Sequence, residues 1–104
     1  MIIEVNSKNF EEVVINSKNP VLVDFNASWC GPCRMLKPIL EEIDEELNNY
    51  KIVSVNFDDE DELAEKYEVS AIPCLVLFKD GCEKARSIGL KPKEEILNFM
   101  QGGY

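Results

Sequence analysis

Cys30 and Cys33, with Gly31 and Pro32 between them, are a pair whose type and spacing suit redox chemistry. Two sulfurs this close in the chain can close a small disulfide ring with little change in backbone, so the pair can cycle between dithiol and disulfide. A helical pattern starts at about Cys33. The first turn of a helix presents unpaired N–H groups and the positive end of its dipole, and both favour a thiolate over a thiol. Cys30 is therefore expected to be the reactive sulfur. It would attack a disulfide in a partner protein to give a mixed disulfide, and Cys33, deeper in the first turn, would resolve it. Pro32 suits the first helical position, where its missing N–H costs nothing, and Gly31 lets the backbone lie close to an incoming partner. Trp29 adds a flat apolar shoulder beside the sulfur.

The chain has no histidine. That excludes every Ser-His, Cys-His and His-metal mechanism and leaves cysteine and carboxylate as the side chains suited to chemistry near neutral pH. The other reading of the pair is half a zinc site completed by Cys74 and Cys82. The seven residues between those two exceed the usual spacing of about two to four, so no metal is expected. Asp24 is the one charged residue in the apolar run Val21 to Phe25, six residues before Cys30. Burial there raises a carboxyl's pKa and lets it exchange protons near pH 7. The alternative is an aspartate at the end of a sheet, bonded to local backbone.

The elements that hold these residues follow from pattern. Ile2 to Val5 can form a short strand, and Asn6 or Ser7 can cap a helix carrying Phe10, Val13 and Val14 at i, i+3 and i+4. Asn19-Pro20 ends that unit, and Val21 to Phe25 reads as a central strand covered on both faces. After the cysteines, Leu36, Ile39, Leu40, Ile43 and Leu47 share one helix face, with Pro38 predicting a kink. Ile52 to Phe57 reads as a strand, Asp61 to Tyr67 as a short acidic helix, and Cys74 to Phe78 as a second buried strand. Asp80-Gly81 signals a hairpin into a polar edge strand, Glu83 to Ile88. A closing helix, Lys93 to Gln101, turns Ile96, Leu97 and Met100 inward and ends at Gly102. The order β-α-β-α-β-α-β-β-α predicts an α/β fold, a five-stranded mixed sheet with helices on both faces, in one domain over residues 1–104.

A hydrophobic fraction of 45% in 104 residues supports a core without staples. The formal charge of -9 and pI near 4.4 argue against nucleic acid or an anionic membrane as partner, since both would repel the chain. The acidic runs 41–46 and 58–62 read as solvated faces and helix starts, with a docking surface for a basic partner as the alternative. No run is long and apolar enough to span a membrane. The start Met1-Ile2-Ile3-Glu4 has no basic leader, so a cytosolic setting is expected, where such a cysteine pair is catalytic or metal-binding more often than structural.

Trp29-Cys30-Gly31-Pro32-Cys33 resembles the active-site motif of the thioredoxin family, and the element order resembles the thioredoxin fold over essentially the whole chain. A proline inside the helix after the motif, here Pro38, is a further shared trait. The resemblance implies a monomeric protein-disulfide reductase with no cofactor beyond the Cys30–Cys33 disulfide. Its partners would be disulfide-containing proteins and a thioredoxin reductase, which recycles it because the chain has no nucleotide or flavin motif of its own. The resemblance also implies that Asp24 lies beneath Cys33 and helps deprotonate it. Ile72-Pro73, an X-Pro bond that sequence alone leaves trans, is implied to be cis and to face the dithiol, where the strand edge can pair with an extended substrate. Gly89 matches a family glycine that admits a partner to the same groove; a plain loop glycine is the simpler reading.

Three positions depart from the family. Ser54 stands where a lysine is frequent, so Asp24 is expected to lack a cationic partner and titrate higher. Asn26 replaces a frequent tryptophan, which removes apolar support from the loop. Cys74 replaces a threonine and reads as a small buried residue, with a redox role beside the pair as the alternative. Cys82, in an exposed turn, reads as incidental. Two other functions fit the same residues: an interaction module that docks through the Pro73 groove without turnover, and an oxidase or isomerase. Both cysteines with Asp24 disfavour the first. Glycine-proline between the cysteines resembles reducing members and disfavours the second.

Overall fold

The computed structural model describes residues 2–104, so Met1, the first residue of the span read as one domain, lies outside it. The elements are β1 (Ile3–Glu4), a π-helical turn (Glu11–Ile15), β2 (Val21–Asn26), α1 (Gly31–Glu46), β3 (Lys51–Asn56), α2 (Asp61–Lys66), β4 (Cys74–Lys79), β5 (Cys82–Ile88) and α3 (Lys93–Met100). The order is the expected one, with most ends displaced by a residue or two, as helix and strand ends commonly are. The strands form one sheet in the order β1-β3-β2-β4-β5. β1, β3 and β2 run parallel, while β4 is antiparallel to both β2 and β5. This is the mixed sheet of the thioredoxin fold.

Successive strand residues point to opposite faces, and in β2 and β4 both faces are covered. Val21, Val23 and Phe25 join Cys74, Val76 and Phe78 on one face, packed with Phe10, Val14 and Leu63. Rings of Phe10, Tyr67 and Phe78 meet there with centroids 5.3 to 5.7 Å apart. On the other face Leu22, Leu75 and Leu77 pack against Leu36, Leu40 and Ile43 of α1 and Ile96 and Met100 of α3. Leu97 is only half-buried, and Phe99, which the sequence reading left out, is buried. Lys93 of α3 pairs with Glu42 and Glu46 of α1 and fixes the two helices side by side.

The first of the four expected helices is a π-helical turn. Asn6 Oδ1 accepts from the N–H groups of Lys8 (2.9 Å) and Asn9 (3.1 Å) in the turn that leads into it, while Phe10, the cap residue of the π-helical turn itself, makes no side-chain cap bond. The exit closes with the Asn16 N–H on the Glu11 carbonyl, an i to i+5 bond. α1 runs unbroken through Pro38; Pro38 is exposed, as is Arg34, whose carbonyl it leaves without a helical donor. At the β4–β5 hairpin both Asp80 (φ 52°) and Gly81 (φ 78°) are left-handed, the backbone a two-residue hairpin turn requires.

Candidate active site

Cys30 closes the loop between β2 and α1 and is the cap residue of α1, with extended backbone (φ -88°, ψ 110°). It is joined to Cys33 in a disulfide whose Cα atoms are 5.2 Å apart. The Cys33 N–H donates to Cys30 Sγ at 3.2 Å, so one of the helix's free donors already points at the sulfur expected to react. Because α1 starts at Gly31 and not at about Cys33, Pro32 takes the second helical position instead of the first. Its missing N–H is harmless there for the same reason, since no first-turn donor has an intrahelical partner.

The loop before the pair is fastened by three bonds. Cys30 N–H donates to the Ala27 carbonyl (3.2 Å), Arg34 Nη1 to the Ser28 carbonyl (2.9 Å), and Trp29 Nε1 to Asp58 Oδ2 (2.7 Å). Trp29 is nevertheless 63% exposed, so its ring stands as an apolar shoulder beside Cys30. A Cβ on Gly31 would meet no atom within 4 Å, which leaves the backbone there open to an approaching chain. Asp58 was read from sequence only as one of five acids in the solvated run 58–62, with nothing to single it out.

The Ile72-Pro73 bond is cis. Ile72 packs against Ala27, Cys30 and Cys33, and its carbonyl oxygen lies 4.0 Å from Cys30 Sγ. Gly89, at φ 97°, donates its N–H to the Pro73 carbonyl at 2.8 Å, a backbone shape that L side chains rarely adopt. Trp29, Cys30, Cys33, Ile72, Pro73 and Gly89 are thus gathered at the carboxyl end of β2 and the start of β4. That is where the sheet order reverses, the usual place for a site in an open α/β sheet.

Asp24 lies on the sheet face beneath α1. Across the sheet its Cα partners are Ser54 on β3 and Leu75 on β4, and Ser54 in turn pairs with Glu4 on β1. Asn26 and Asn56 pair one side-chain repeat further along. These polar groups border a partly open cavity of about 650 Å³ that Cys33, Arg34, Lys37 and Glu41 of α1 also line. Asp24 is 6% exposed, and burial pushes its carboxyl from 3.8 up to about 7, with a hydrogen bond from Asn26 pulling the other way. Asn26, read from sequence as a loss of apolar support, also has a polar role that the reading did not include. Its Nδ2 donates to Asp24 Oδ2 (3.2 Å), the Asp24 carbonyl (2.9 Å) and Ser54 Oγ (2.7 Å). The signal was in the sequence: two polar residues two apart, Asp24 and Asn26, share one face of a strand.

Cys74 turns away from this site, into the core on the opposite face of the sheet, and burial raises its thiol pKa. Cys82 is exposed and pairs with Lys79 at the far end of the hairpin. Five residues along β4 from Cys74, that is about 17 Å. The four cysteines therefore do not converge on one metal.

A model of the thioredoxin family matches residues 1–102. The chain belongs to the thioredoxin family. It is 50% identical over 100 residues to thioredoxin of Chlamydia pneumoniae, a match covering 96% of each chain. It is 44% identical over 101 residues to thioredoxin of Rickettsia bellii, again covering 96% of each, and 37% identical over 100 residues to thioredoxin of Mycoplasma genitalium, covering 96% of this chain and 98% of that protein. With the Cys30–Cys33 disulfide at its helix mouth, the chain is a dithiol–disulfide oxidoreductase of that family. Membership carries with it the family's kind of partners, proteins bearing disulfides and a reductase.

Proposed function

We propose that the chain is a general protein-disulfide reductase in which Cys30 attacks and Cys33 resolves. The observation that carries this order is the placement of Cys30 Sγ at the cap of α1, holding the Cys33 N–H at 3.2 Å. A negative sulfur there is stabilised by that donor and by the helix dipole. The Cys30 thiolate attacks one sulfur of a partner's disulfide; that S–S bond breaks, the partner's other sulfur leaves as a thiolate that takes up a proton, and a Cys30–partner disulfide forms. The Cys33 thiol gives its proton to the Asp24 carboxylate, and the Cys33 thiolate then attacks Cys30 Sγ. The Cys30–Cys33 bond forms, and the partner leaves as a thiolate that takes up a proton. Two electrons have passed to the partner, and the chain is left in the disulfide state seen here.

Ile72, Pro73 and Gly89 would receive the partner. An extended segment laid beside the Ile72 carbonyl brings its sulfur to Cys30 through backbone contacts, which explains a broad range of targets. Trp29 and the open backbone at Gly31 form the rest of the docking edge. A separate thioredoxin reductase returns the electrons. The protein acts as a monomer of one domain, in keeping with its high negative charge, in the cytoplasm, where reducing conditions would keep the pair cycling.

Reduction of insulin with dithiothreitol as electron source tests the reading. Wild type is expected to turn over, Cys30→Ser to be inactive, and Cys33→Ser to trap a mixed disulfide. An inactive wild type would replace the reductase with the docking module.

A further inference from the structure

Asp24 Oδ1 is buried and accepts no hydrogen bond among the described residues, whereas Oδ2 accepts from Asn26. A buried oxygen left so is costly, and a native one asks for a reason. The Asn26 amide cannot be turned end for end, because its oxygen would then face the Asp24 carbonyl and carboxyl, both acceptors; only the NH2 end fits. Its two hydrogens serve three acceptors on two strands, so the amide bridges β2 and β3 at this point. An oxygen that already receives an N–H is the poorer place for a carboxyl's own hydrogen, since the proton removes charge from the atom the donor is holding. When Asp24 is neutral its hydrogen therefore belongs on Oδ1.

We propose that Asn26 is a positioning residue for proton transfer: its amide, anchored on Ser54 Oγ and the Asp24 carbonyl, holds Oδ2 and assigns Oδ1 as the oxygen that takes the Cys33 proton. This rests on the reading of Asp24 as the proton acceptor for Cys33. By donating only, Asn26 favours the carboxylate and does the work that a cation would otherwise do beside a buried acid. The charged and titratable groups around Asp24 do not supply that cation directly. Glu4 on β1 and Glu41 on α1 are acidic, and Cys33 is the proton's source. Arg34 and Lys37 border the same cavity from α1, while the position of the Asp24 pKa is set by burial and, against it, by the Asn26 hydrogen bond. Cys74 lies across the sheet, on the other face. β3 contributes only the uncharged Ser54 and Asn56.

The test follows the Asp24 carboxyl by carbon-13 NMR against pH, with insulin reduction measured over the same range. In Asn26→Leu and Asn26→Ala the midpoint is expected to rise by about one pH unit, the scale of one hydrogen bond to a charged carboxyl. Resolution of the mixed disulfide is expected to slow several-fold near pH 6.5 and to converge on wild type near pH 9. In an Asp24→Asn background the Asn26 variants should add nothing. An unmoved midpoint in the folded variants, or a moved midpoint without the rate change, overturns the proposal while leaving Asp24 in place. An Asp24→Asn protein that reduces insulin at the wild-type rate from pH 6 to 9 removes the Asp24 reading itself, and this proposal with it. If neither Asn26 variant folds, wild type still decides: the Asn26 Nδ2 protons must shift with the same midpoint as the carboxyl, and a silent amide refutes the assignment.

Discussion

A carboxyl held neutral inside a sheet lowers the stability of the fold on its alkaline side. Asp24 goes from 3.8 to about 7 on folding, so between those values the folded chain binds a proton that the unfolded chain does not. Stability then falls as pH rises through this window; the penalty is absent below about pH 4 and complete above about pH 7. At 1.36 kcal/mol per unit it amounts to roughly 4 kcal/mol at most. Asp24→Asn is expected to stabilise the oxidised protein by a few kcal/mol at pH 8 and hardly at all at pH 4 in urea titrations. An equal gain at both values would assign the effect to packing. Asp24 and both active cysteines were legible because their types are rare where they stand. Asn26 and Ser54 were read only as departures from a family pattern, although the two-residue spacing already puts Asp24 and Asn26 on one strand face. That their side chains meet is a fact of register, Asp24 against Ser54 and Asn26 against Asn56, which no local pattern states.

Among the elements, the β4–β5 hairpin is the one whose turn has least freedom. Gly81 is left-handed at φ 78°, and a Cβ there would stand 3.0 Å from the Ile15 carbonyl oxygen. The hairpin thereby touches the end of the π-helical turn, away from Cys30 and Cys33. Gly81→Ala is expected to cost about 2 kcal/mol, the left-handed penalty plus the shift needed at Ile15. Insulin reduction should stay near wild type; a loss of activity without loss of stability would contradict the separation of hairpin tip and site. This turn was readable as Asp80-Gly81. The π-helical turn was not, because Phe10, Val13 and Val14 satisfy a helix period over so few residues that an i+4 and an i+5 closure look alike. Arg86 was equally hidden. Its guanidinium pairs with Glu83 and donates to the carbonyls of Tyr67 (2.7 Å) and Glu68 (3.3 Å), closing the end of α2 from a strand that the sequence marks only as polar.

For the whole molecule, the sheet separates four cysteines into three environments: a disulfide at one end, Cys74 in the core and Cys82 on the surface. A bulky maleimide added to the oxidised native protein is expected to label one thiol rapidly, and none in Cys82→Ser. Rapid double labelling would show that Cys74 opens to solvent. The fold as a whole was legible because alternating units leave few ways to arrange five strands. The cavity under α1 was not, since it depends on three parallel strands ending in polar residues at the same level. One feature of that helix reaches beyond its geometry. The sulfur that accepts the Cys33 N–H is also the atom whose covalent partner changes in every turnover, so the helix begins on a different chemical cap in each redox state. Folding and oxidation then close one thermodynamic cycle. Whatever grips the first turn of α1 more firmly in one state must draw the pair toward that state by the same free energy. A change in that turn that favours one state over the other, however far from a docked partner, is for this reason also a change in how readily the protein gives up its electrons.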